Sequence, residues 1–333
     1  MTVEIQTRLQ QSTGRSKLKF SEFLIRHGTI TGFLAMCIVF AIMSDVFLTM
    51  NNITNIILQS TMLSIVSFGL TLVIIVGGFD VSLSSVVPAS GVLVAYLLAN
   101  GWSIPMAILV AILPGVVIGA LNAFTILRLG VPDFIATLGM MSVVKGIVYM
   151  GTEGRSVWQN IPNSFLWLGR GHFGGIPVPV LIMFCIFGCL WVLMSQTKLG
   201  RRMYAVGGNV QAARLSGINV IGIKAFTFVL AGLLSAICGV LLAARLGSGQ
   251  PAAGGTYFLD GIAAVFLGQS MFSEGQPHLF GTLLGVLIIG TMNNGFVLLG
   301  VSYFVQDLVK GLVIIMAVAL STAGSIERIA IGI

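Results

Sequence analysis

Residues 56–77 read IILQSTMLSIVSFGLTLVIIVG, an uncharged run of 22 residues. A helix needs about 20 mostly apolar residues to cross a membrane, so this stretch predicts a transmembrane helix. The whole chain has the same character, because 56% of its 333 residues are hydrophobic and only 8% are charged. A soluble domain carries roughly 25% charged residues. Most of this chain is therefore predicted to face lipid.

Similar apolar runs recur along the chain and predict about ten transmembrane helices. They lie near residues 28–48, 56–77, 85–99, 105–127, 133–151, 177–195, 223–244, 258–271, 279–299 and 302–321. The first run is too long for the apolar core of a cleaved signal peptide. We predict an all-α polytopic membrane protein, in which residues 1–27 form a cytoplasmic N-terminal segment, 28–325 a single transmembrane domain and 326–333 a cytoplasmic C-terminal tail.

The basic residues indicate the orientation of the chain. Cytoplasmic loops of membrane proteins carry an excess of Lys and Arg. With ten spans and a cytoplasmic N-terminus, 12 of the 17 Lys and Arg residues fall inside the cell, three fall outside and two lie within spans. The net charge of +7 is thus an orientation signal, and no nucleic-acid partner is predicted.

The sequence contains an internal repeat at an offset of 170 residues. Residues 115–134 read GVVIGALNAFTILRLGVPDF, and residues 285–304 read GVLIIGTMNNGFVLLGVSYF. The first copy is predicted to run inward and the second outward. Two five-helix halves of inverted topology are therefore predicted, with a pathway between them. Chance similarity between glycine-rich apolar segments is the alternative.

The first candidate functional feature is the break GGFDVSLSS at residues 77–85. Two glycines end the helix, and Asp80, Ser82 and Ser84 can accept hydrogen bonds from the free N–H groups of the next helix. Irregular backbone at membrane depth survives only where protein buries it or where it lines a cavity. Phe79, Asp80 and Ser82 are therefore candidates for the pathway, and a simple helix cap at the membrane surface is the alternative.

Polar side chains inside apolar runs are costly and often functional. The amides of this kind are Gln59, Asn122, Asn293 and Asn294. Because amides both donate and accept hydrogen bonds, they suit a neutral, hydroxyl-rich solute. Hydrogen bonding between helices is an equal alternative for each of them. Asp307 and Lys310 are three residues apart on one helix face and are predicted to pair with each other.

The predicted cytoplasmic loop 196–224 is longer than a turn requires. It contains a short helical stretch, Val210–Leu215, between glycines. Such a helix can dock into a partner protein, whereas orientation and lipid contact are the alternative roles of its basic residues. The residues predicted for docking are Gly207, Gly208, Asn209, Gln211, Arg214, Leu215, Ser216 and Gly217. On the outer side, 152–176 is predicted to be mostly ordinary loop, and 245–257 a gate or a connector.

The sequence lacks the motifs of catalysis and of metal or cofactor binding. It has no Gly-Lys dipeptide, and hence no phosphate loop, and no His-Glu-x-x-His. The four cysteines lie in apolar runs and the three histidines are scattered near span ends. We therefore predict no enzymatic activity, no catalytic residue, no metal and no cofactor bound by this chain.

Together these features resemble the ribose/xylose/arabinose-type permeases of bacterial ABC importers. The resemblance runs over nearly the whole chain, from 51 to 311. Its most specific blocks are 77–82, 199–209, 214–219, 244–251 and 259–268. The chain departs from the family pattern at Val210, where a Glu is usual.

The resemblance implies a permease of the bacterial inner (plasma) membrane that moves a sugar or similar small polar solute by alternating access. It implies three partners: an ABC ATP-binding subunit that holds the ATP and docks on 207–218, a periplasmic or lipoprotein sugar-binding protein, and a second permease copy in a homodimer or with a close relative. The alternative is an ion-coupled secondary transporter, which needs charged groups at membrane depth. Among the acids, Asp260 is predicted near a span end and only Asp307 deep.

Overall fold

A computed structural model describes residues 29–272, 276–313 and 315. Within these residues the chain is mostly helical, as the sequence predicted, with one antiparallel hairpin of two-residue strands. The predicted cytoplasmic segments 1–27 and 326–333, and the end of the last predicted span, lie outside the described residues.

The helices coincide with the predicted apolar runs and add three that were not predicted as spans. Their bounds are α1 Thr29–Met43, α2 Met50–Ile75, α3 Leu83–Ala99, α4 Ile104–Leu127, α5 Asp133–Thr152, α6 Asn163–Arg170, α7 Val178–Gln196, α8 Lys198–Gly208, α9 Val210–Leu215, α10 Val220–Leu246, α11 Tyr257–Ser270, α12 Leu279–Leu298 and α13 303–313, with β1 His172–Phe173 and β2 Ile176–Pro177 between α6 and α7.

Six of the described helices are long and apolar enough to cross a membrane, namely α2, α4, α5, α7, α10 and α12. Two further apolar helices, α1 and α3, are shorter. The chain is therefore a polytopic membrane protein. The count of about ten spans stays a prediction, because α11 has only 14 residues and α13 is described only over residues 303–313.

Two long helices, α2 and α10, organise the bundle. Helix α10 packs on α3 and α4, whereas α2 packs on α11 and α12, and the two long helices also contact each other. Glycines allow the close approach: Gly115 lies against the carbonyl of Gly232, and Gly285 lies against that of Ala264, with no room for a side chain at either glycine. Close backbone contact of this kind holds helices together in lipid, where the hydrophobic effect is weak.

Two irregular segments enter the bundle, and each is followed by a short helix. Segment 76–82 leaves α2 at Gly77, whose φ of +68° suits glycine, and leads into α3. Segment 247–256 leaves α10 at Gly247 and leads into α11. The second segment lies so close to α3 that Gly254 abuts the carbonyl of Ser84. It is a packed part of the core, not a simple connector.

Aromatic side chains join segment 76–82 to the first turn of α11, directly after segment 247–256. The rings of Phe79 and Phe258 are in edge-to-face contact with centroids 5.7 Å apart. Phe79 also contacts Phe134, at the start of α5, with centroids 5.8 Å apart. The breaks in the two halves of the chain are therefore joined inside the bundle.

The segment 152–176, predicted to be mostly ordinary loop, also contains a short helix and a hairpin. Helix α6 has a strongly amphipathic sequence, and its apolar side packs on α10: Phe165 is fully buried, and Gly169 lies directly against the backbone of Arg245. The short hairpin β1–β2 then leads into α7. The helical periodicity of apolar residues was hard to recognise in this stretch, because α6 has only eight residues.

Candidate functional site

A polar cavity lies between α2, the end of α10, segment 247–256, α11 and α12. Its volume is about 220 Å³. It is lined by Gln59, Leu63, Arg245, Ala253, Thr256, Tyr257, Asp260, Gly290 and Asn293. Gln59 and Leu63 are in the middle part of α2, so the cavity lies at depth within the bundle. It is called the central cavity below.

Asp260 is the charged group at the centre of this site, and the sequence reasoning missed it. It lies in the first turn of α11 and is 7% exposed. The Lys310 ammonium is 3.3 Å from Oδ1, and Asn293 donates from Nδ2 to Oδ2 over 3.1 Å. The predicted pairing of Lys310 with Asp307 was therefore wrong, because Lys310 turns toward α11. Asp260 was predicted near a span end, and it lies in the first turn of α11, where packing within the bundle buries it.

Arg245 forms the opposite wall of the central cavity. Its Nη1 donates to the carbonyl of Leu58 over 3.2 Å, which ties the end of α10 to α2. Its own carbonyl accepts a hydrogen bond from Nε of Arg170 over 2.7 Å, so α6 holds the backbone at this point. Two opposite charges, Arg245 and Asp260, thus face one polar cavity.

Two of the four predicted amides line the central cavity. Gln59 is exposed on α2, and Asn293 reaches Asp260 from α12. Asn294 points elsewhere: it exchanges hydrogen bonds of 2.8 and 2.9 Å with the buried Asn52. Asn294 therefore forms hydrogen bonds between α12 and α2, which was the alternative to a place in the pathway.

Three of the four remaining predicted pathway residues form a second, closed cluster, and the fourth, Phe79, makes the aromatic contacts described above. The Oδ1 atom of Asp80 accepts from the Ser82 N–H over 2.9 Å and from the Ser82 hydroxyl over 2.6 Å. Asn122 donates from Nδ2 to Ser82 Oγ over 2.8 Å. All three side chains are fully buried, and none lines the central cavity. These three residues are called the Asp80 cluster below.

The Asp80 cluster corrects one prediction about helix capping. Asp80 does accept a backbone N–H at the start of α3, but the hydroxyls of Ser82 and Ser84 do not. Ser84 instead donates to the carbonyl of Val81 over 2.9 Å. Two acceptor atoms of the cluster, Asp80 Oδ2 and Asn122 Oδ1, have no hydrogen-bond partner among the described residues.

The predicted docking helix is present as α9, with the bounds expected from the sequence. Asn209 caps it by accepting the Ala212 N–H over 2.9 Å, and Gly217 ends the turn with a φ of +77°. Only Ala213 is buried. The residues left exposed include Gly208, Gln211, Arg214, Leu215 and Ser216, and Leu215 is 88% exposed.

Helix α9 is held against the end of α2 through α8. Gly207 lies directly on the carbonyl of Ile75, where a side chain would not fit. Met203 and Val206 of α8 are fully buried in the same apolar cluster as Ile75. Because segment 76–82 starts at this point, α8 and α9 connect to the backbone that leads to Asp80.

No three His, Cys, Asp or Glu side chains come together as a metal site in the part of the chain that the structure describes. The polar groups of the central cavity are instead hydrogen-bond donors and acceptors, which suit a small polar molecule. Long apolar helices around a polar cavity at depth are the construction of a membrane transport protein.

Comparison with known proteins identifies the family. The model of a family described as the permease component of a branched-chain amino acid transport system matches residues 52–318. The chain belongs to this family of ABC importer permeases, which are transport subunits and not enzymes.

Several relatives are similar over nearly their whole length. Ribose import permease protein RbsC of Bacillus subtilis (strain 168) is 42% identical over 312 residues, which cover 93% of this chain and 97% of the relative. RbsC of Escherichia coli (strain K12) is 39% identical, with 89% and 93% covered. D-allose transport system permease protein AlsC of the same strain is 34% identical, with 94% and 97% covered. No solved structure matches the chain.

Proposed function

We propose that this chain is the membrane-spanning permease subunit of an ATP-driven importer that moves a sugar by alternating access. The relatives named above carry ribose and allose in their names, and they are matched over nearly their whole length. The observation that carries the coupling to ATP is α9, a short helix that is exposed on its outer side and anchored to the end of α2.

The physical case for docking rests on the exposure of α9. An apolar side chain such as Leu215, 88% exposed next to Arg214, contributes nothing to this chain's own core. An exposed apolar and Arg pair is typical of residues that dominate a protein interface. Gly207 at the end of α8, just before α9, packs directly on the carbonyl of Ile75 and provides a rigid route by which a docked partner can move α2.

The assembly follows from the same proposal. An ATP-binding subunit binds α9 on the cytoplasmic side and holds the ATP, so this chain binds no nucleotide. A sugar-binding protein delivers solute from outside, and a second permease copy, identical or closely related, completes the pathway in the bacterial inner membrane. Both termini are cytoplasmic. Val210 in place of the usual Glu makes the docking of this chain more dependent on Leu215 and Arg214.

The ion-coupled alternative is not favoured. An ion-coupled transporter needs an acid at membrane depth that can release its ion or proton and bind it again. The deep acid of the central cavity, Asp260, already has Lys310 as its counter-ion 3.3 Å away.

The test is coupled transport in proteoliposomes. The chain is reconstituted with its cognate ATP-binding subunit and sugar-binding protein, and uptake of D-ribose and ATP hydrolysis are measured together. Leu215→Asp is expected to reduce sugar-stimulated ATP hydrolysis about tenfold or more, as expected for an interface hot spot. Leu48→Asp is the matched control, because Leu48 is 65% exposed but lies between α1 and α2.

The outcomes separate the two functions. Loss of stimulation in Leu215→Asp but not in Leu48→Asp, with unchanged thermal unfolding of both, supports docking at α9. Equal activity of both variants contradicts it. Sugar uptake by the chain alone, driven by an imposed proton or sodium gradient, would overturn the importer proposal.

A further inference from the structure

We propose that the central cavity around Asp260 is the solute site of the transport path and that it selects neutral polyhydroxylated molecules. This inference rests on the proposed function, since it gives the transported sugar a place within this chain. It is argued from the size, the hydrogen-bonding groups, the charge and the depth of the cavity.

The size of the cavity suits a small solute. A volume of about 220 Å³ is close to that of roughly seven water molecules, at about 30 Å³ each. Pockets for drug-sized ligands are larger, about 300–1,000 Å³. A single sugar ring with its hydroxyl groups fits this size class, whereas an oligosaccharide or a peptide does not.

The lining groups match hydroxyls in both directions. Asp260 can only accept hydrogen bonds and Arg245 can only donate them, whereas Gln59, Asn293 and Tyr257 can do both. Asn293 already donates to Asp260, and its Oδ1 atom has no partner within the described residues. Each hydroxyl of a sugar both donates and accepts, so such a solute can satisfy this mixed set where a purely donating or purely accepting one cannot.

The charges of the lining favour a neutral solute. Asp260 and Arg245 have opposite signs, and the carboxylate is further neutralised by Lys310, which stands behind it and does not line the cavity. A solute cation would meet Arg245 and a carboxylate that Lys310 already neutralises, so desolvating the cation without a free counter-charge is costly. A neutral hydroxylated molecule avoids that cost.

The position of the cavity fits a site that can be reached from two sides. It lies beside the middle of α2 and at the start of α11, where segment 247–256 interrupts the helical structure. Interrupted helices at mid-depth are where many transporters bind their solutes, because the freed backbone can move. Ala253 and Thr256 of the interrupting segment belong to the lining, so a movement of that segment changes access to the solute.

The first test uses Gln59→Leu, because Gln59 is exposed and makes no hydrogen bond within the described residues that the substitution would break. Losing one hydrogen bond to the solute is expected to lower the uptake of D-ribose about threefold to tenfold. ATP hydrolysis continues, so the ATP consumed per sugar moved rises by the same factor. Asn55→Leu, an exposed amide one turn earlier on α2 and outside the lining, is the matched control.

The second test removes the central charge pair. Asp260→Asn/Lys310→Met leaves no lone buried charge, so the protein is expected to fold. Uptake is expected to fall about tenfold to a hundredfold, because a hydrogen bond to a charged acceptor is lost. Glu153→Gln/Arg155→Met removes an exposed ion pair outside the lining and is the control.

The results test the proposed solute site separately from the proposed permease function. If the wild type transports D-ribose and the cavity variants keep its rate and its ATP consumed per sugar, the site proposal is overturned and the permease proposal stands. If uptake and ATP hydrolysis fall together in both variants, the residues act only in folding or assembly, and the site proposal is again overturned. A wild-type complex that moves no sugar overturns both.

Discussion

Asp80 and Asp260 occupy corresponding places in the chain but have opposite surroundings. Each follows or ends an irregular segment, each lies at the start of a short helix, and each is approached by an amide from the next helix, Asn122 or Asn293. Asp80 is sealed in a network of internal hydrogen bonds. Asp260 is held by Lys310 and faces the central cavity.

The comparison teaches that the same arrangement of carboxylate and amide can be closed in one half and open in the other. The helix contacts correspond as well, because α10 packs on α3 and α4 as α2 packs on α11 and α12. Two inverted halves would produce this correspondence, and the inverted topology stays a prediction. The correspondence also explains the two acceptor atoms of the Asp80 cluster that lack partners in the described structure, if that cluster opens to water in another state.

The largest expected effect is a change of solvent access during the transport cycle, in which the Asp80 cluster opens as the central cavity closes. Single cysteines replace Gln59 in the central cavity and Ser84 beside the Asp80 cluster, in a chain freed of its own four cysteines. A charged, water-soluble thiol reagent is applied to the assembled complex in nucleotide-free, ATP-bound and ADP-bound states. The state in which the cysteine at 59 reacts fastest is expected to be the one in which the cysteine at 84 reacts slowest.

The control for this change of access is a cysteine at Asn55, outside the cavity lining. Its reaction rate should change little between the states. Rates at 59 and 84 that rise and fall together would contradict alternating access between the two regions.

The next largest effect is on stability. It tests whether Asp80, unlike Asp260, stabilises the fold through an enclosed hydrogen-bond network. Asp80→Ala leaves the two donors of Ser82 without their acceptor, so the free energy of unfolding is expected to fall by about 3 kcal/mol or more. Asp80→Asn keeps an acceptor oxygen and is expected to lose less. Thermal unfolding in detergent measures both. An Asp80→Ala protein as stable as the wild type would show that the network does not hold α3.

The smallest expected effect tests an amide that lies in a span but outside the cavity. Asn52→Ala removes the partner of Asn294, and stability is expected to fall by about 2 kcal/mol. The ATP consumed per sugar moved should stay unchanged, unlike in Gln59→Leu. Replacing both amides by Leu should restore part of the stability. If Asn52→Ala changed the ATP consumed per sugar moved, Asn294 would belong to the transport path after all.

Much of the fold could be predicted from the sequence, because the predicted spans are apolar runs bounded by charges or glycine. Helix α9 was also predictable, since its flanking glycines mark both ends. Helix α6 was not, because eight residues give too little periodicity and its apolar side is recognised only against α10.

The candidate site was predicted in part, for a physical reason. Gln59 and Asn293 were found because an amide in an apolar run is conspicuous. Asp260 and Arg245 were missed as cavity residues because they stand near the ends of their apolar runs. Segment 247–256 turns into the bundle, so that Arg245 before it and Asp260 after it both reach the cavity. No local sequence pattern predicts that turn. The prediction for Lys310 was wrong for a similar reason. Sequence spacing points to Asp307 on the same helix, whereas the observed partner, Asp260, lies on a neighbouring helix.

The contact between Phe79 and Phe258 has a mechanical consequence. An edge-to-face aromatic pair contributes only about 0.5–1.5 kcal/mol beyond the area it buries, which is one to three times thermal energy at room temperature. Segment 76–82 and the first turn of α11 are thus joined by a weak contact inside the bundle. Random motion can therefore part and rejoin the two rings, so this contact resists relative movement of the elements that carry them only weakly.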